Sequence, residues 1–390
     1  MKNFDVVILG AGSVGLPLAW QLAERGFSVA VLDEEASWGR GQNRAAIGGV
    51  RATHSDPAKI RVCLDSIAIF SSLRQKYGLD VEWRAGGYLY VAYDAKTEAQ
   101  FRSLLEVQKT AGLSIDWIES GLIQNLAPGI SAEGLRGGTF SPGDGYASPL
   151  MAASAFHELA CRAGAAFFFN ARVEGFKTRG ENILSVRAGG EDFCASLFIN
   201  ASGAKASDIA KLAGFELPVF PDCHEAGVTE PIERFMEPMI VDVRADAESG
   251  NYYFYQAETG QVVFCVTPRP QVWGRDKDST SGFLPLVVRR MLELYPRLRN
   301  LRVRRTWRGM YPMTPDGLPI LGYPESEKNF LQIVGMCGQG FMLGPGLGTI
   351  VASAISNGSS YAQPAGRTAY GPIFEELSIA RDFDHIELLK

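Results

Sequence analysis

The period of apolar and polar positions changes several times along the chain, and each change marks an element. Residues 5–9 are a short, apolar, β-branched run suited to a buried parallel strand. A Gly-rich turn spans 10–15, and residues 16–25 then show helical spacing with Leu18, Ala19, Leu22 and Ala23 on one face. Gly26 suits the helix end, and residues 28–32 predict a second strand ending at Asp33, completing a βαβ unit. Residues 56–77 read as a helix with Ile60, Leu64, Ile67 and Leu73 as its stripe. From Val81 the period falls to two, most clearly over 88–93, which predicts strand. Ser148-Pro149 opens another helix, to about residue 163, because Ser caps and Pro suits the first helical position. Strands are expected at 167–169 and 193–199, followed by a turn at 200–203 that enters a helix. A strand-rich stretch over 218–270 includes 239–243 and a hairpin of 252–255 with 262–267, turning at Glu258-Thr259-Gly260. From residue 305 the pattern returns to short apolar strands and a Gly-rich turn before a helix.

This order predicts an α/β fold: a discontinuous Rossmann-type domain interrupted by two inserts that build a second, antiparallel β-rich domain. The expected division gives 1–82, 146–217 and 305–390 to the first and 83–145 and 218–304 to the second. An apolar fraction of 46% with 21% charged residues over 390 positions allows a large core. The net charge of −5, with no basic stretch, points away from nucleic acid as a partner. Six Cys without a CxxC pair and four scattered His fit neither a zinc site nor a disulfide scaffold, so no metal is expected. The chain enters a strand almost at once, without a leader pattern, which suggests a reducing, cytoplasmic setting. No membrane span is expected; the apolar segment 335–355 is Gly-rich with one Pro and reads as a loop feeding a buried helix.

Gly10-Ala11-Gly12-Ser13-Val14-Gly15 is a complete GxGxxG, set between strand and helix, with Asp33 at the end of the next strand. In such a turn the first Gly permits the bend, the second admits a pyrophosphate, and the third lets helix and strand pack closely. Phosphate charge then meets free N–H groups at the helix start. Asp33 and the neighbouring Glu34 suit the adenosine ribose, and a carboxylate there argues against a 2′-phosphate, hence against NADP. The fingerprint alone does not separate FAD from NAD.

Further blocks make that distinction. The segment 307–322, Trp-Arg-Gly-Met-Tyr-Pro-Met-Thr-Pro-Asp-Gly-Leu-Pro-Ile-Leu-Gly, and the segment 335–346, Gly-Met-Cys-Gly-Gln-Gly-Phe-Met-Leu-Gly-Pro-Gly, resemble two signatures of the D-amino-acid-oxidase-like flavoproteins. That group includes sarcosine oxidases, glycine oxidase and the β subunit of proline dehydrogenase. Residues 41–51 resemble its segment along the pyrophosphate and isoalloxazine. The resemblance implies FAD, held by the fingerprint and by Arg44, Ala45, Ala46, Gly48, Gly49, Val173, Ala201, Ser202, Gly203, Gly309, Gly338, Gln339, Gly340, Phe341 and Met342. It implies oxidation of a small amine or amino acid of sarcosine, glycine or proline type, with backbone N–H groups at the last helix start facing flavin N1 and O2. The chain departs from the family pattern at Gly309, where monomeric sarcosine oxidases carry a flavin-tethering Cys, at Gln339 in place of His, and at Met342 in place of Lys.

A substrate carboxylate would need a cation, for which Arg51 is the first candidate and Arg308 the second. Each has a structural alternative as an ion pair. Tyr311 is a candidate substrate hydrogen-bonding residue. Tyr253 and Tyr255, on one face of their strand with Tyr252 on the other, line a pocket or simply pack. The electron acceptor stays open between oxygen and a dye-like or protein acceptor; 266–271 contains Arg269 but no Lys, which favours the latter. A partner subunit fits the resemblance. Oxidation of a 2-hydroxy acid or polyol phosphate is the alternative enzyme reading, and a flavoprotein subunit active only in a complex is another.

Overall fold

Lys2–Leu9 is the central strand of the first sheet, paired in parallel with Val29–Leu32 on one side and Glu191–Asn200 on the other. The computed structural model describes residues 1–357 and 371–389. The sheet runs Ile320–Gly322, Phe330–Val334, Glu191–Asn200, Lys2–Leu9, Val29–Leu32, Ala166–Phe168, with Val173–Arg179 and Asn182–Ala188 added beside Glu191–Asn200. Val6 to Leu9 are at most 1% exposed, as an unbroken apolar run between two covering layers requires.

The helix Gly15–Glu24 is buried from Gly15 to Ala23, more widely than the single face expected. Helices Pro149–Arg162 and Gly340–Ser356 both pack on it. Glycine permits the second contact: a Cβ on Gly344 would lie 1.9 Å from the Ser13 carbonyl oxygen. The Gly-rich segment is therefore helix from Gly340 onward, its missing side chains spent on close backbone approach. Pro57–Tyr77 is capped by Asp56, whose side chain accepts from Lys59 N–H at 2.9 Å. Ser148 caps Pro149–Arg162 as expected.

The second sheet runs Val303–Met313, Phe220–Pro231, Gln261–Pro268, Ser249–Gln256, Met239–Asp242, Tyr88–Ala92, Gly137–Ser141, Asp116–Glu119. The expected hairpin is present. Tyr252 packs in one core beside Phe254 and Tyr295, and Tyr253 and Tyr255 pack on the opposite face with Tyr88 and Tyr90, following strand alternation. The boundary placed at residue 305 falls too early. Val303–Met313 pairs along its length with Phe220–Pro231, so the chain rejoins the first sheet only at Ile320–Gly322. The segment 358–370 and residue 390, assigned to the cofactor domain from sequence, lie outside the described residues. Helices Ala95–Thr110 and Phe283–Leu294 cover the second sheet and were not anticipated. Among the described residues, no helix is long and apolar enough to cross a membrane.

Candidate active site

The three fingerprint glycines do different work. A Cβ on Gly10 (φ +113°) would lie 2.6 Å from the Ala201 carbonyl oxygen, and one on Gly15 would lie 1.9 Å from that of Gly10. A Cβ on Gly12 would meet nothing within 4 Å. The first and third glycines therefore close the turn, and the second leaves space above it. Asp33 accepts from Ala11 N–H at 2.7 Å and Glu35 N–H at 2.9 Å. Burial raises its pKa, and the two N–H donors oppose that shift.

The 42–45 turn is tied down from three sides. Ser13 Oγ donates to Asn43 Oδ1 at 2.8 Å, Asn43 Nδ2 donates to the Pro149 carbonyl at 2.9 Å, and Trp307 Nε1 donates to that of Ala45 at 2.9 Å. The geometry of the loop thus depends on the fingerprint, on a helix start and on the second sheet together.

Two open clefts of about 1200 and about 1010 Å³, space open to solvent included, share Gly10, Asp33, Gly41, Gln42, Ser202 and Met310, and so form one groove. Most of the residues expected at the cofactor lie on it. Gly12, Ser13, Val14, Ala45, Ala46, Gly48, Gly49, Ala201, Gly203 and Gly309 line the first cleft. Gly338, Gly340, Phe341 and Met342 join them there, at the start of helix Gly340–Ser356. Glu34, paired with Lys205, and Val173 line the second. A groove with Asp33 and Glu34 in its lining, room above Gly12 and the starts of helices Gly15–Glu24 and Gly340–Ser356 beside it fits an extended dinucleotide.

The part of the first cleft that the second does not share carries the polar chemistry. Tyr253 and Tyr311 join hydroxyls at 2.7 Å. The His224 ring stacks on Tyr311 with centroids 3.8 Å apart. Its Nε2 lies 3.1 Å from Asp222 Oδ2, and its Nδ1 has no protein partner. Asp222 Oδ1 accepts from Val272 N–H at 2.8 Å, which fixes the carboxylate. Burial pushes the Cys265 thiol up to about 11 and holds both tyrosines well above the ordinary phenol range. Tyr88 also lines this region. Tyr88, Asp222, His224 and Cys265 were not singled out from sequence. The pairing of Asp222 with Tyr311 and of His224 with Gly309 would have located two of them, but it joins strands far apart in the chain.

Six expected site residues are not on the groove. Gly15 is used in packing, as above. Arg44 is exposed. Arg51, 5% exposed, donates to the Thr53 and Leu389 carbonyls and lies 3.0 Å from His54 Nδ1. Its guanidinium is committed to those carbonyls and does not line the groove, which corrects its assignment to a substrate carboxylate. Arg308 pairs with Asp276 at 2.9 Å. It stands three positions from Tyr311 on one strand and so faces the other side of the sheet. Tyr255 donates to the Ile47 carbonyl at 2.6 Å and stacks on Tyr146, supporting the wall from behind. Gln339, the buried residue before helix Gly340–Ser356, is not among the residues lining the groove.

Comparisons with known proteins agree with this geometry. The chain is 25% identical over 360 residues to glycine oxidase of Geobacillus kaustophilus (strain HTA426), covering 90% of this chain and 93% of that one. It is 25% identical over 381 residues to sarcosine oxidase subunit beta of an Arthrobacter species, covering 93% and 89%. The solved L-proline dehydrogenase of P. horikoshii superposes with a TM-score of 0.87 at 28% identity, over 96% of this chain and 98% of that one. The family described as FAD dependent oxidoreductase (DAO) matches residues 5–354. With a dinucleotide groove and that match over most of its length, the chain belongs to the DAO family of FAD-dependent oxidoreductases.

Proposed function

We propose that the protein oxidises a small amine or amino acid at the carbon next to nitrogen, giving an imine that water hydrolyses. The observation that carries this reading is the cluster of Tyr253, Tyr311 and His224 lining the groove beyond the cofactor cradle. The relatives named glycine oxidase, sarcosine oxidase subunit beta and L-proline dehydrogenase support the same chemistry.

FAD, when bound, supplies the acceptor for a hydride. The chain's residues bind and orient the substrate. Asp222 holds the His224 ring stacked on Tyr311, which fixes the tyrosine at the groove. The Tyr253–Tyr311 hydroxyl pair orients the amine, and the buried aromatic walls exclude water. The start of helix Gly340–Ser356 would offer N–H groups and a positive dipole end to the charge that a bound flavin gains on reduction.

The first cleft has no lysine among its described lining residues, which favours a dehydrogenase with a protein or dye-like acceptor. A partner subunit is part of that reading, as for the relative named as a sarcosine oxidase subunit. None of the six cysteines forms a disulfide, in keeping with a cytoplasmic setting.

The test is a visible spectrum of the purified protein, followed by anaerobic addition of amino acids and N-methyl amines. Flavin bands that bleach with one of these compounds are the expected result. Bleaching by 2-hydroxy acids alone would replace the amine reading.

A further inference from the structure

Resting on the amine-oxidising reading above, we propose that the substrate carries no carboxylate beside the reacting carbon: the site takes a secondary or tertiary amine with a neutral tail. The charges that the fold sets around the reactive end are the reason. Among the described residues lining the first cleft there is no arginine and no lysine. Of the arginines flanking it in sequence, Arg44 is exposed and outside the lining, Arg51 is engaged on the Thr53 and Leu389 carbonyls and Arg308 on Asp276. Arg275 lines the second cleft, on the adenosine side, and is paired with Asp208 at 2.6 Å.

The charge in contact with the reactive cluster is negative. Asp222 is 1% exposed and sits on His224 at 3.1 Å. Its field favours an approaching ammonium and opposes a carboxylate. A carboxylate placed here would give up its hydration without gaining an ion-pair partner. The hydroxyls offer little in return. Tyr253 and Tyr311 use one O–H on each other at 2.7 Å, which leaves at most one for a substrate. Both phenols and the Cys265 thiol resist ionisation because of burial, and any other anion meets the same penalty there. A positive or neutral amine meets the aromatic side chains of Tyr88 and Tyr253 in the lining instead.

The experiment uses pairs that differ only in the carboxylate: sarcosine against sarcosinamide and proline against prolinamide. Each is mixed anaerobically with the holoenzyme, and flavin bleaching is followed, with rates expressed per deprotonated amine. The amide of each pair is expected to reduce the flavin about tenfold or more faster at low concentration. Equal rates, or a faster acid, would overturn the proposal. A second titration needs no turnover: pyrrole-2-carboxamide against pyrrole-2-carboxylate, read by the shift of the visible flavin band. Tighter binding of the amide supports the neutral-tail site, and equal or tighter binding of the acid overturns it. If the amide binds tighter but no amine bleaches the flavin, the amine-oxidising reading fails while the charge preference of the site stands. Asp222→Asn, which removes the charge and keeps the shape, should narrow the amide preference in this titration by about threefold or more. An unchanged preference would overturn the charge argument.

Discussion

A Cβ on Gly338 would lie 2.4 Å from the ring of Tyr311. The turn that starts the last helix and the tyrosine that closes the reactive end of the groove therefore occupy each other's space, and glycine is what reconciles them. Gly338 also holds φ +80°, where side chains are strained.

Gly338→Ala should displace Tyr311 while leaving the two sheets intact. A shift on the order of 1 Å at a reacting centre costs about 100-fold in rate. We expect a fall of about 10- to 100-fold in kcat/KM with an unchanged circular dichroism spectrum, together with a shifted flavin absorption band.

The hydroxyl pair of Tyr253 and Tyr311 should behave as one unit. Tyr253→Phe and Tyr311→Phe each break the same 2.7 Å hydrogen bond. In a double-mutant cycle on kcat/KM, the double variant should be scarcely worse than either single one, with a coupling of about 0.5–3 kcal/mol. Additive losses would show that the two hydroxyls act separately.

Asp33→Ala removes the acceptor for the Ala11 and Glu35 N–H groups and the carboxylate that we assign to the adenosine ribose. Each stranded donor costs about 1–3 kcal/mol. Fluorescence titration of the apoprotein with FAD should show a Kd raised by about 10- to 100-fold.

The fully buried ion pair of Lys59 with Glu387, at 3.2 Å, makes a prediction about pH. Burial opposes the charge on Glu387, but Lys59, together with hydrogen bonds from Ser55 and Leu389, outweighs it and brings the carboxyl down to about 2. A folded pKa below the unfolded value means that this stabilisation is present above about pH 4.5 and is lost as pH falls toward 2. Glu387→Gln leaves the Lys59 ammonium buried without its counter-charge, a loss of about 3–5 kcal/mol. The Tm of the variant should lie well below that of the parent at pH 7, and the gap should narrow with acidification through that window.

Local signals were the legible ones. The fingerprint, Asp33, the helix starts at Ser148-Pro149 and Asp56, and the 252–267 hairpin each depend on residues close in sequence, and each lies where it was expected. The alternation that separated Tyr252 from Tyr253 is equally local. The same parity separates Arg308 from Tyr311, since three positions along a strand reverse the face, so that arginine was decidable from sequence once its segment was recognised as strand.

What sequence determined by itself is the turn and helix start that we assign to the cofactor, because a βαβ turn and a Gly-rich helix start are built from contiguous residues. The reactive end was decided by tertiary structure alone. Asp222 and His224 reach Tyr311 and Gly309 only through strand pairing across most of a domain, and Tyr253 and Cys265 join them from a hairpin in between. Arg51 was drawn away from the groove by the Leu389 carbonyl, a contact spanning 338 positions. Non-local pairing of this kind leaves no periodic trace in the residues it joins, so the chemistry nearest the substrate was the part that the fold had to supply.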